Sequence, residues 1–260
     1  MSAILFLGTA GDSFVLGKHG RNAGGIIIQI NENQLHIDPG PGALTSSKRC
    51  DINPRATTAL LVSKNSLYTC GDLNAVIDAM TYSGFDKKAV LVANNEVING
   101  PESFLLHKYR DYLERFIVLE SGRKVGINEV EVQSITLSDK SIGFKLIAPE
   151  FTICYLPSTK YSSALEEQCK NSNILILNSV SPKKEDGFSS EDAIKLIKAV
   201  GPKLAILTNF GIKMIEADPL YEAREISKAA GVPTVAAKDG MVINPLSYSA
   251  DQGQKTLRGF

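Results

Sequence analysis

Chemistry in a protein starts from side chains that hold a metal, carry a proton near neutrality or attack a substrate, and here they are few. There are three histidines, His19, His36 and His107, and four cysteines, Cys50, Cys70, Cys154 and Cys169. A zinc centre needs imidazole, thiolate or carboxylate donors gathered at short spacing. The cysteines are widely separated with no Cys-x-x-Cys pair, so they read as buried or half-buried thiols, reduced in a cytosolic protein. His19 falls in GKHGRNAGG, His36 two positions before Asp38 in an apolar run, and His107 in an aromatic stretch. Isolated histidines in such places are more often solvated or hydrogen-bonded than metal-bound. No nucleophile–base–orienter set can be assigned; Tyr68, Lys64 and Asp239 are the residues to invoke as acid or base if the chain works without a metal.

The elements that must position these residues are short and regularly punctuated by glycine and proline. Apolar, β-branched runs at Ile4–Leu7, Gly25–Ile30, Ala59–Val62, Ala89–Ala93, Ile174–Leu177 and Leu204–Leu207 predict strands. Several are continuously apolar, as ALLV and ILIL are, which predicts strands covered on both faces. Helices supply the cover. Leu73, Val76, Ile77 and Met80 share one helical face between Asp72 and Gly84. Ser189 and Asp192 form a capping box ahead of Ala193, Ile194, Ile197 and Val200, with Gly201 and Pro202 ending the helix. A third helix opens at Asp218–Pro219 and closes at Gly231, and a fourth is expected from Pro101 to Phe116, its aromatic stripe packing into the core. With a β-rich stretch from Val125 to Leu156 between the two alternating halves, the pattern predicts an α/β protein of αββα four-layer sandwich form.

Composition narrows the partners. Of 260 residues, 43% are hydrophobic, enough for a developed core, and 28 basic residues balance 28 acidic ones. Zero net charge argues against nucleic acid and against an anionic membrane surface as partners. No apolar run approaches the roughly 18 residues that span a bilayer, and the start lacks the basic and apolar regions of a secretory leader, so a cytoplasmic protein is expected. One domain is expected over residues 1–246, followed by a polar tail at 247–260, a tail or a partner-docking strip.

The blocks FLGTAGD (Phe6–Asp12), AGGIIIQI (Ala23–Ile30), LHIDPGPGAL (Leu35–Leu44), LLVSKNSLYTCGDLNAV (Leu60–Val76), ICYLPST (Ile153–Thr159) and LAILTNFGIKM (Leu204–Met214) resemble, in order, those of the metallo-β-lactamase superfamily. The resemblance spans nearly the whole chain and is nearest to small archaeal-type members related to ribonuclease Z. Enzymes of that family hold two divalent metals, usually zinc, whose bound water is acidified to a pKa of about 7 and attacks a phosphodiester, thioester or amide. Their ligands include a His-x-His-x-Asp-His turn after a buried strand and single His, Asp and His residues further on.

By that resemblance the turn is present and its chemistry is changed. Lys64, Ser66, Tyr68 and Thr69 stand at the four turn positions, Leu137 falls near the next histidine, Ser158 replaces the bridging aspartate and Asn209 the last histidine. Three histidines in the chain cannot supply the five the family uses. The resemblance therefore implies a member lacking the metal ligands, with no cofactor and no catalytic residue to assign. Asp38, Lys64, Ser66, Tyr68, Thr69, Ser158 and Asn209 would converge on one vestigial pocket, with Lys64 pairing with Asp38. His19, Arg21, Lys64 and Lys213 would form a rim able to bind a small anion. The expected function is that of a pseudoenzyme: an interaction platform or subunit for a protein partner or a second copy. The alternative is a metal-dependent hydrolase, phosphodiesterase or ribonuclease Z-like, with a relocated site. The tRNA-gripping arm of ribonuclease Z relatives has no counterpart insertion in this chain, which again argues against nucleic acid.

Overall fold

The computed structural model describes residues 2–183 and 187–249. Among them the strands are β1 (Ala3–Phe6), β2 (Ile26–Ile30), β3 (Asn33–Ile37), β4 (Thr57–Val62), β5 (Val90–Ala93), β6 (Arg115–Val118), β7 (Lys124–Ile127), β8 (Val130–Thr136), β9 (Ile142–Ile147), β10 (Thr152–Leu156), β11 (Ile174–Asn178), β12 (Leu204–Thr208), β13 (Thr234–Ala236) and β14 (Val242–Ile243). The helices are α1 (Ser13–Lys18), α2 (Ala43–Arg49), α3 (Leu67–Cys70), α4 (Leu73–Met80), α5 (Asn95–Asn99), α6 (His107–Arg110), α7 (Ser163–Gln168), α8 (Ser190–Val200), α9 (Ile212–Glu216) and α10 (Pro219–Ala230).

The strands form two seven-stranded sheets, ordered β14-β1-β2-β3-β4-β5-β6 and β13-β12-β11-β10-β9-β8-β7. The first half of the chain builds one sheet and the second half the other, except that β14 returns to pair antiparallel with β1. Both sheets are mixed. β3 through β6 run parallel, as do β10 through β13, while β1–β3 and β7–β10 are antiparallel meanders.

Continuous apolar strands arise because each of their faces meets a different core. In β11, Ile174 and Ile176 point into the core between the sheets, whereas Leu175 and Leu177 pack outward among residues of α8 and α10. In β4, Ala59 and Leu61 face inward, and Leu60 and Val62 face Leu73, Val76, Ile77 and Met80 of α4. This is the αββα arrangement that doubly covered strands require. The α8 capping box is present in both directions between Ser189 and Asp192, and Gly201 ends that helix in the left-handed conformation, φ 61°.

One local expectation is corrected. The aromatic stretch from Pro101 to Phe116 is not one helix: it holds only the single turn of α6 and then enters β6. The amide side chains of Asn65 and Asn74 take the backbone groups of Glu102, Phe104 and Leu106 that a helix would have used. Tyr109 and Tyr112 still pack against the core under α4, edge to face with ring centroids 5.3 Å apart, but Phe104 and Phe116 lie exposed. Asp72 stands at the N-cap of α4, near the positive end of that helix as expected, and its carboxylate accepts from the Leu44 amide at 3.1 Å.

Of the tail expected at 247–260, Tyr248 packs against the central core and the Ser249 carbonyl accepts from Lys203 at 2.6 Å. Residues 250–260 lie outside the described residues. Among the described residues, no helix is long and apolar enough to cross a membrane.

Candidate functional site

Parallel strands deliver their carboxyl ends to one edge of the sandwich, where loops leave the sheets and open a crevice. β3 is followed by Asp38, β4 by Ser63–Lys64, β10 by Pro157–Ser158 and β12 by Asn209, while β11 ends at Asn178 and is followed by Ser179. Three of these loops begin with a non-glycine residue in the left-handed region: Asp38 at φ 51°, Ser179 at φ 53° and Asn209 at φ 52°. Left-handed backbone at such residues costs energy that the surrounding contacts must hold in place. The Ser179 amide donates to the Thr208 carbonyl at 3.0 Å and its hydroxyl to the Asn209 carbonyl at 3.1 Å. Gly11 closes the other side, so near the β12 loop that a Cβ would lie 2.1 Å from the Asn209 oxygen.

The loops enclose a cavity of about 220 Å³ lined by Gly11, Lys64, Ser66, Tyr68, Thr69, Pro157, Ser158, Asn178, Ser179 and Asn209. It adjoins a second lobe of about 330 Å³, which shares Gly11, Ser158 and Ser179 and adds Asp12, Ser181, Lys213 and the start of α9. Larger hollows, of about 540 and 610 Å³, lie at the amino-terminal ends of β4 to β6 and along the Leu44–Pro54 segment.

The turn from Lys64 to Cys70 is held by its own side chains. Thr69 donates its hydroxyl to the Lys64 carbonyl and lies 2.9 Å from the Ser66 hydroxyl, and the Cys70 thiol donates to the same carbonyl at 3.3 Å. Burial pushes that thiol up to about 11, so Cys70 is not a thiolate nucleophile at neutral pH.

Behind the cavity wall a buried polar chain joins the two sheets. The Asp38 carboxylate accepts from the Ser63 amide at 2.7 Å, the Ser63 hydroxyl at 2.6 Å and the Tyr155 hydroxyl. Tyr155 in turn accepts from the Asn178 amide nitrogen at 2.5 Å. Burial raises Asp38 to about 6, opposed by the hydrogen bonds from Ser63 and Tyr155. Burial and the neighbouring Asp38 charge hold the Tyr155 phenol well above its ordinary value. Phe144 stacks on Tyr155 with ring centroids 6.4 Å apart.

Of the residues expected at the vestigial pocket, Lys64, Ser66, Tyr68, Thr69, Ser158 and Asn209 line the smaller lobe. Asp38 is fully buried beneath it, reaching it through Tyr155 and Asn178. Leu137 stands elsewhere, in a hollow with Asn94 and Leu119.

The expected Lys64–Asp38 pair does not form. The Lys64 ammonium bonds Asp139 at 3.0 Å, because Asp38 is sealed under the turn and already has three donors. Both partners of the actual pair are some two-fifths exposed, 43% and 40%, so Lys64→Met is expected to cost less than about 1 kcal/mol, measured by urea unfolding.

The four rim cations stand differently from the expectation. Lys64 lines one lobe and Lys213 the other. Arg21 is engaged by the Thr9 hydroxyl at 2.7 Å and the Ala237 carbonyl, over the Phe210 ring. His19 lies exposed at the end of α1. Asp239 is likewise bound up in structure, accepting from Thr9 and from the Asn22 amide, each at 2.7 Å.

Tyr155, Asn178, Ser179 and Ser181 were not singled out by sequence reasoning. ILILNSVS carries no motif, and only the position of this loop at the end of a parallel strand marks it. The other histidines and cysteines follow the structural reading. His36 is buried with Nε2 2.9 Å from the Gly24 carbonyl, and burial lowers it to about 4, opposed by that carbonyl and the Asp72 charge. The four cysteines are free, with Cys50 half-buried and the rest buried.

These residues do not fit the paired dications of the resembled enzymes. Among the described residues, no three His, Cys, Asp or Glu side chains gather to hold a metal, and the cavity has an ammonium, hydroxyls and amides in their place.

No protein-family model matches the chain. It is 30% identical over 257 residues to the uncharacterized protein MJ1374 of Methanocaldococcus jannaschii, covering 94% of this chain and 95% of that one. Among solved structures, the metallo-β-lactamase fold protein YhfI of Bacillus subtilis superposes with a TM-score of 0.78 at 14% identity, over 93% of this chain and 98% of that one. The short form of human tRNase Z superposes with a TM-score of 0.69 at 16% identity, over 93% and 98%. Identities this low establish the fold alone. The chain therefore belongs to one family with MJ1374, and its own fold is that of the metallo-β-lactamases.

Proposed function

We propose that this protein keeps the metallo-β-lactamase scaffold as a binding device: a non-catalytic subunit or interaction platform whose cleft receives a small molecule without hydrolysing it. The observation that carries this reading is the donor set around the smaller lobe, where Lys64, Ser66, Tyr68, Thr69, Ser158 and Asn209 stand in place of imidazole and carboxylate ligands. An ammonium there repels a dication, and neutral hydroxyls and amides offer too little charge to offset the repulsion. The self-bonded Lys64–Cys70 turn supports the same reading, since its hydroxyls and thiol are engaged with one another and with the Lys64 carbonyl.

A second reading, a hydrolase with an unusual site, is favoured by the likeness to human tRNase Z, named for an activity on tRNA. Elemental analysis of the purified chain, with a phosphodiesterase assay in added zinc, manganese and iron, separates the two. The binding reading expects substoichiometric metal and no turnover above the blank. Stoichiometric metal accompanied by turnover would transfer the conclusion to the hydrolase.

A further inference from the structure

Two buried polar atoms of cleft-lining residues have no partner, one on the last residue of β11 and one three positions further on. Asn178 is 4% exposed, lines the smaller lobe, and its Oδ1 accepts nothing. Ser181 is 8% exposed, lines the larger lobe, and its Oγ is likewise unpaired. A buried polar atom left unsatisfied costs about 1–3 kcal/mol, so a native site that keeps two of them three positions apart at one cleft calls for an occupant.

The direction of the buried chain decides what Asn178 shows to the cavity. Asp38 as a carboxylate only accepts, so Tyr155 gives it the phenolic proton and is left with lone pairs. The Asn178 Nδ2 donates to those lone pairs, which orients the amide and leaves Oδ1, an acceptor, as the unused atom. A carboxylate or sulfate has only lone pairs to present and cannot satisfy it, and the O–H of hydrogen phosphate comes with a charge that an uncharged hydroxyl does not bring. The rim cations are also occupied: Lys64 donates to Asp139, and Lys213 has an interaction of its own. A cationic ligand would meet those same lysines.

We propose that the two-lobed cleft binds an uncharged, polyhydroxylated molecule, a free sugar or the ribose of a nucleoside, with its O–H groups on Asn178 Oδ1 and Ser181 Oγ. The lobes, about 220 and 330 Å³ and sharing Ser179, match the size of such a ligand. Ser66, Tyr68, Thr69, Ser158 and Asn209 add neutral donors and acceptors to the smaller lobe, where Lys64 is paired with Asp139, and in the larger lobe the Asp12 carboxylate is taken by the Val15 and Ile212 amides. The inference rests on the binding reading of this cleft and specifies the chemistry of its ligand.

The test is calorimetry and thermal-shift measurement on the full chain with four probes: D-ribose, D-glucose, adenosine and inorganic phosphate. At least one of the three neutral probes is expected to bind and raise the melting temperature, and phosphate is expected to do neither. Binding of ribose or glucose identifies a sugar site, whereas binding of adenosine alone identifies a nucleoside site. Ser181→Ala removes a hydroxyl that supports nothing in the fold, so its stability is expected to match or exceed that of the parent while affinity for the bound probe falls about five- to tenfold. Phosphate binding alone, no binding at all, or unchanged affinity in Ser181→Ala would each overturn the assignment. Metal analysis of the same sample keeps the two failures apart. A zinc-loaded, active protein defeats the binding reading whatever the probes do, whereas a metal-free protein indifferent to neutral probes defeats only the ligand class.

Discussion

Asp38→Asn is expected to make the protein lose roughly 3 kcal/mol more stability than the parent on acidification from pH 6.5 to 4, and His36→Gln to lose about that much less. The two groups are buried close together in sequence and titrate in opposing senses. Asp38 lies at about 6 instead of 3.8, because burial disfavours its charge. The folded chain thus binds that proton more tightly than the unfolded chain. The stability it confers is complete below pH 3.8 and is lost as pH rises through 6. His36 lies at about 4 instead of 6.5, again through burial, so its contribution is complete above pH 6.5 and is lost as pH falls through 4. In the parent the two slopes nearly cancel. Removing the carboxyl in Asp38→Asn leaves the histidine loss uncompensated. Removing the imidazole in His36→Gln, which retains a donor toward the Gly24 carbonyl, leaves the carboxyl gain. Other carboxylates titrate alike in all three proteins, so the comparison lies in the differences between their urea-unfolding free energies at each pH. Parallel curves for the three would show that neither group titrates as its burial requires.

Gly40→Ala is expected to destabilise the protein by about 3–5 kcal/mol and to reshape the smaller lobe. A Cβ at Gly40 would lie 2.0 Å from the Tyr68 carbonyl oxygen and 2.2 Å from that of Ala23. Both obstacles are backbone, so no rotamer change relieves them, and Tyr68 belongs to the α3 turn that lines the cavity. Separation of the Asp38–Gly40 loop from that turn would strain the Asp72 amide bond to the Pro39 carbonyl, now 3.0 Å, and with it the start of α4. Thermal unfolding measures the loss, and Gly17→Ala, where a Cβ meets nothing within 4 Å, is the control and should change stability little. A Gly40→Ala protein as stable as its parent would mean that these loops approach less closely than described.

The fold was readable because its signals are local and redundant. ILIL and ALLV announced doubly covered strands without any partner being known, and Ser189 with Asp192 announced the α8 start to the residue. The Pro101–Phe116 stretch failed for a reason of the opposite kind. Its helical spacing was real, but the side chains of Asn65 and Asn74, distant in sequence, took the backbone groups that a helix needs. The site divided in the same manner. The family resemblance was enough to expect Lys64, Ser66, Tyr68, Thr69, Ser158 and Asn209 in one place, whereas the partners of those residues were not legible. Lys64 went to Asp139 instead of Asp38, and Arg21 to Thr9 and Ala237.

What the sequence determined by itself is the inventory: strand and helix periodicities, the caps, and a turn whose residues carry an ammonium and hydroxyls where imidazoles would be needed for zinc. Only the tertiary structure decided that Asp38 is sealed beneath Tyr155, that this leaves the Asn178 oxygen without a donor, and that the Ser181 hydroxyl is likewise unpaired. Periodicity and capping are energies between residues a few positions apart, which a sequence displays directly. The polarity of a buried hydrogen-bond chain depends on which distant groups reach each lone pair once water has been excluded, and that is settled only when both sheets are packed.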